Sequence, residues 1–152
     1  NNIVLPEGDF ISLMMNVHNR EPNIVGIQPS YTKDSKIYWN NLKNHNSDDI
    51  RRTWIIDNYF SIYNANWFFR MNLIRETYLF SINLDLQLSL NAYKDDKKLF
   101  VDDRVHVRRF IDPSNKESIF YSKEMCKSLK RKFGPLWLKL ILEPEEFNLN
   151  EE

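Results

Sequence analysis

FSINLDLQLSLNA (80–92) and LFVDDRVHVRRFI (99–111) are the two stretches on which the reading of this chain turns. In the first, Phe80, Ile82, Leu84, Leu86, Leu88 and Leu90 alternate with Ser81, Asn83, Asp85, Gln87, Ser89 and Asn91. Successive side chains of a strand point to opposite sides, so alternation of this length predicts a strand with one wet face in an antiparallel sheet. The second stretch alternates as well, and Lys94-Asp95-Asp96-Lys97 between them is turn-forming. With Asp95-Asp96 at the tip of a hairpin, Leu90 faces Val101, Leu86 faces Val105 and Leu84 faces Val107. The polar row then sets Gln87 against Arg104, Asp85 against His106 and Asn83 against Arg108. A slip of one residue would break both rows. Asp103 is the blemish: it falls in the apolar row opposite Leu88, where a strand end or a bulge would have to turn it out.

Outward from this ribbon, Ile11, Leu13, Met15 and Val17 alternate within 10–17 and predict a half-buried strand. A turn at Asn19–Pro22 and a second strand over Ile24–Ile27 complete an N-terminal hairpin. Residues 31–46 read as a polar loop anchored by Tyr38, Trp39 and Leu42. Ser47, followed by Asp48 and Asp49, resembles a helix start, since the hydroxyl caps free N–H groups and the acids suit the dipole. Ile50, Trp54, Ile55, Tyr59, Ile62 and Tyr63 then predict an amphipathic helix over 48–63. Trp67, Phe69, Met71 and Leu73 alternate and favour a strand over 67–74. Further on, Tyr121, Met125, Cys126, Leu129 and Phe133 mark the buried stripe of a second helix, stopped by Gly134 and Pro135. Leu136–Leu142 reads as a last strand. The fold class expected is α+β, a mainly antiparallel sheet with two principal helices in the order β-β-α-β-β-β-α-β.

The chain has 152 residues, 42% of them hydrophobic, which suits one domain over 1–147 with an acidic tail at 148–152. It begins Asn-Asn rather than with Met, and reads as a domain cut from a longer protein. One cysteine, Cys126, provides neither an internal disulfide nor a cysteine metal cluster, and a cytoplasmic or nuclear compartment is the natural expectation. No apolar run reaches membrane-spanning length, so no membrane partner is expected. The formal net charge is zero, but it is unevenly placed. Arg104 to Lys132 holds nine Lys or Arg against three acids, whereas Glu143 to Glu152 holds five Glu and no base.

No motif assigns a reaction. Gly8, Gly26 and Gly134 are scattered, so no glycine-rich loop cradles a phosphate, and no serine sits in a nucleophile elbow. His18, His45 and His106 lack metal-ligand spacing. The expectation is therefore no catalytic residue, no metal and no cofactor. The candidate anion- or partner-binding set is Asp85, Arg104, His106, Arg108, Lys127, Lys130, Arg131 and Lys132. Candidate interface aromatics are Trp39, Trp67 and Trp137, because tryptophan is enriched among interface anchors. These features favour a non-catalytic protein–protein interaction domain of a larger cytosolic or nuclear complex, with homodimerisation as one form of it. A nucleic-acid-binding domain using the Arg104–Lys132 surface is the alternative, and it would show strong salt dependence.

Overall fold

The computed structural model describes residues 3–21, 23–37, 39–71, 84–110, 127 and 130–135. Its architecture is α+β around a mixed sheet. The organising strand is β5 (Lys98–Arg109), and β2 (Ile24–Tyr31) runs parallel beside it, from Ile24 opposite Lys98 to Tyr31 opposite Val107. Along its other side β5 takes two antiparallel partners in succession. One is β3 (Ile50–Thr53), against residues 99–102, and the other is β1 (Ile3–Val4), against Arg108 and Arg109. The short β4 (Ile62–Tyr63) closes the far side of β2 in antiparallel fashion. The central pair is thus parallel, and the expected mainly antiparallel order does not hold. β2 is buried along its whole length, as a strand covered on both faces should be.

The expected ribbon over 80–92 and 99–111 is corrected in one arm. Leu84–Lys94 is a helix, α3, and 80–83 lie outside the described residues. The alternating leucines form two i, i+4 stripes on roughly opposite sides of that helix. Leu86 and Leu90 enter a core cluster with Tyr31, Leu42, Ile55, Val101, Val107 and Phe133, while Leu88 and Ala92 enter another with Val25, Ile56, Trp67 and Leu99. Every residue from Leu86 to Ala92 is buried, including Gln87, Ser89 and Asn91. A helix enclosed on both sides has no wet face, so it shows no 3.6-residue periodicity. Its end is well specified. Asp96 adopts φ +52°, Asp96 N–H donates to Tyr93 O at 3.1 Å and Lys97 N–H donates to Ala92 O at 2.7 Å. That is a Schellman stop with aspartate in the left-handed position.

The N-terminal hairpin is also replaced. Phe10–Arg20 forms the helix α1, capped by Asp9, whose side chain accepts from Ser12 N–H at 3.1 Å. Phe10, Leu13, Met14 and Val17 supply the stripe that packs on Ile24, Ile27, Phe100 and Val105, leaving Ile11 and Met15 exposed. The expected helix over 48–63 is instead β3, an irregular stretch and β4. Trp67 lies on a short helix, α2 (Ala65–Arg70), rather than on a strand, and Asn64 caps it by accepting from Trp67 N–H. The helix stop at Gly134 stands: its φ is +54° and its N–H donates to Lys130 O at 2.9 Å. The expected strand 136–142 and the acidic tail lie outside the described residues. Among the described residues no helix is long and apolar enough to cross a membrane.

One close approach and one irregularity shape the sheet. At Gly26 a Cβ would come within 2.4 Å of Ile56 Cδ1 and 2.9 Å of Leu99 Cδ2, so a bare backbone is what lets α3's core cluster settle there. Between Pro29 and Ser30 the β2–β5 register jumps from Asp102 to His106, so β5 bulges over 103–105. Proline has no N–H for a ladder, and a bulge is one of the few places a sheet accepts it.

Candidate functional site

The second half of β5 carries the candidate surface. From within the bulge to the end of β5, burial alternates: Val105, Val107 and Arg109 are buried, whereas His106 and Arg108 are exposed and Arg104 half-buried. Strand parity therefore brings three members of the expected set onto one face, as the sequence implied. His106 does not face Asp85. Its Nδ1 lies 3.0 Å from Ser30 Oγ and 3.2 Å from Asn44 Nδ2, with Asn44 also donating to Asp103 O at 3.2 Å. With Asn44 as donor, Nδ1 accepts, and the Nε2 side of the ring is left for the exterior. A serine beside a histidine suggests nucleophilic chemistry, but Ser30 is fully buried and no substrate reaches its hydroxyl.

The cations of this face are matched by acids that sequence reasoning did not pair with them. Arg104 forms a two-pronged pair with Asp102, Nε to Oδ1 at 2.8 Å and Nη2 to Oδ2 at 2.7 Å. Arg108 pairs with Asp34, and its guanidinium also lies 4.8 Å over the ring of Phe110. Asp103, the blemish in the apolar row, is neither solvated nor turned out. It is fully buried in the bulge and bound by Arg51 at 2.5 and 3.0 Å and by Ser47 Oγ at 3.1 Å. Burial alone would raise its pKa, but the hydrogen bond and charge of Arg51, helped by Ser47, hold it below the ordinary carboxylate value. Ser47 and Asp49 serve this bulge, not a helix start: Asp103 N–H donates to Asp49 O at 2.9 Å. Beside Arg108, β1 contributes exposed Val4, and exposed Leu5 follows. Phe110, Val4 and Leu5 are each about half accessible (52, 53 and 51%). The face is thus a charge-balanced strip edged with apolar side chains.

A second polar group lies where β2 and β5 both end. Asp57, buried and turned toward this end, accepts from Tyr59 N–H at 2.6 Å and lies 3.5 Å from Arg109 Nη1. Its own N–H donates to Gln28 Oε1 at 2.5 Å. The Tyr59 ring covers the Arg109 guanidinium at 3.7 Å. Burial pushes Asp57 up to about 6, with the charge of Asp85 adding to the rise and the Tyr59 N–H and Arg109 opposing it. Burial also raises Asp85, against the hydrogen bond from Trp39 Nε1 at 3.1 Å. Burial, together with the charge of Asp57, raises the Tyr31 phenol. Raised carboxyls at the carboxyl ends of parallel strands commonly mark a site. Here the Tyr59 ring covers the Arg109 guanidinium, and the buried Asp57–Arg109 pair ties the irregular stretch after β3 to the end of β5.

The other expected residues are dispersed. Asp85 sits in the first turn of α3. Trp39 is half-buried and meets Trp54 edge to face at 5.2 Å. Trp67 is a core side chain, 1% exposed, whose indole N–H donates to Asp95 Oδ2. Lys127, Lys130, Arg131 and Lys132 are exposed in the C-terminal segment. Trp137 lies outside the described residues. No group of three or more His, Cys, Asp or Glu placed to hold a metal occurs among the described residues. No protein-family model matches the chain, and searches of curated proteins and of solved structures return no match.

Proposed function

We propose that this chain is a non-catalytic docking domain whose partner is another polypeptide, held on the face built by His106, Arg108, Phe110, Val4 and Leu5, within a larger cytosolic or nuclear assembly. One observation carries the reading: the arginines of this face are already balanced by Asp102 and Asp34, while its edge exposes three large apolar side chains. Nucleic acid is bound through uncompensated cations, whereas protein interfaces favour arginine and aromatic side chains within a neutral rim. His106 and Arg108 supply directional polar contacts, and Phe110 with Val4 and Leu5 supplies area to desolvate.

A photo-crosslinking side chain placed at Phe110, in an extract of the source cells, tests this. The expected result is one recurrent crosslinked polypeptide, lost in Val4→Asp/His106→Asp and kept in Lys130→Glu. The reading is overturned if crosslinks are indifferent to the double substitution. It is equally overturned if the domain binds generic DNA or RNA at low salt and loses that binding on Arg131→Glu.

A further inference from the structure

Residues 57–61 form a strap over Arg109, the last residue of β5. Among the described residues the main chain of this strap bonds to side chains and not to other main chain. Asp57 N–H donates to Gln28 Oε1, Tyr59 N–H donates to Asp57 Oδ1, and Ser61 Oγ donates to Asp57 O. The Tyr59 ring, 61% exposed, lies outermost on the guanidinium. A segment without ladder bonds is the kind that opens locally, well below the free energy of global unfolding. From this arrangement we infer a proton-coupled strap: it stays shut over Arg109 while the polar cluster beneath keeps one proton, and it opens more readily once that proton has left to solvent.

The charges beneath the strap call for that proton. Asp57 interacts with Arg109 of β5, Tyr31 of β2, Asp85 of α3 and Tyr63 of β4, with the Tyr59 phenol beside them. Arg109 is the cation of this group, and both aspartates feel its guanidinium. With both acids ionised, the closed cluster would hold one excess negative charge away from water, which is costly; with one proton it is neutral. Asp57 is the acid that keeps it. Asp57 is buried, whereas Asp85 is half-buried, accepts from Trp39 Nε1 and stands in the first turn of α3, where the helix dipole favours its ionised form. Lifting the strap hydrates Asp57 and returns it to the ordinary carboxylate value of 3.8, whereas the closed strap holds it at about 6. The open form therefore releases its proton first, so the opening equilibrium rises with pH between those values and levels off above them. Arg109 stands between Arg108 and Phe110, so loosening there reaches the docking face along its own strand; that consequence, unlike the strap itself, rests on the docking reading.

Amide hydrogen exchange of the isolated chain tests the strap with no partner present. The Tyr59 amide, which donates to Asp57 Oδ1, is the reporter. After correction for the intrinsic pH dependence of exchange, its protection should fall by about tenfold or more from pH 4.5 to 7.5. It should also be insensitive to low denaturant, because a local opening exposes little surface. Asp57→Asn, a neutral stand-in for the protonated acid, should keep the acid-side protection at both pH values. Asp85→Asn removes the excess charge and should move the fall in protection to lower pH. A cooperative melting transition in each variant checks that the fold is intact. The inference is overturned if Tyr59 protection is the same at both pH values, if its fall persists in Asp57→Asn, or if Asp85→Asn leaves the fall where it was. It is equally overturned if Tyr59 exchanges only through global unfolding, with the denaturant dependence of the β2–β5 ladder.

Discussion

Asp57 and Asp103 are both buried aspartates, yet their surroundings drive them in opposite directions. For Asp57 the folded value of about 6 lies above the ordinary 3.8. Between those values the folded chain keeps a proton that the unfolded chain has released, so this group's contribution to stability falls as pH rises through the window. Its carboxyl carbon resonance should titrate near pH 6. The stability of the wild type relative to Asp57→Asn should decline across the same window, by at most about 3 kcal/mol. Asp103 works the other way. Its pKa is lowered, so its contribution is present above the ordinary carboxylate value and is lost as pH falls below it. Arg51→Ala strands that carboxylate in the bulge without a charged partner, and should cost about 3–5 kcal/mol in denaturant unfolding. In the sequence Asp103 looked like an error in an apolar row. Its partner stands 52 positions upstream, beyond the reach of any local pattern, so this ion pair was legible only as an anomaly.

Elements were legible where local pattern and tertiary role coincide. The strand pattern came through over 99–109 because Val101, Val105 and Val107 form a β-branched row, and because the turn at 94–97 bounds it whether a strand or a helix precedes. The helix α1 was missed because Ile11, Leu13, Met15 and Val17 satisfy period two, while Phe10, Leu13, Met14 and Val17 satisfy the helical spacing equally well. The Asp9–Ser12 cap was the discriminating cue. In α3 the leucine alternation serves two buried sides at once, and only tertiary enclosure reveals it. Parity on β5 placed Arg104, His106 and Arg108 together, but Asp34, Asn44 and Asp102 as their partners had no signature. Gly26 is the sensitive point of the element pairing. Gly26→Val should destabilise by about 1–3 kcal/mol, by forcing Ile56 and Leu99 off their rotamers, and Gly26→Ala by less. Equilibrium denaturation of the two variants beside wild type checks the order.

At the scale of the whole molecule, β5 joins every other strand of the sheet except β4, which hangs on β2. The central pairing of Ile27 with Phe100 closes a loop that contains β3, β4, α2 and α3. A chain ending at Asp96 should therefore show no cooperative unfolding transition by circular dichroism, although it retains most of the helices. Synthesis imposes the same cut for a time. Until Lys98–Val107 clears the ribosome tunnel, β2 has no central neighbour and the greasy flanks of α3 have no sheet to rest on. The nascent chain must wait in that condition, and long-range closure of this kind is slow. A molecular chaperone has its opening in that interval, and the late arrival of one strand sets how long it lasts.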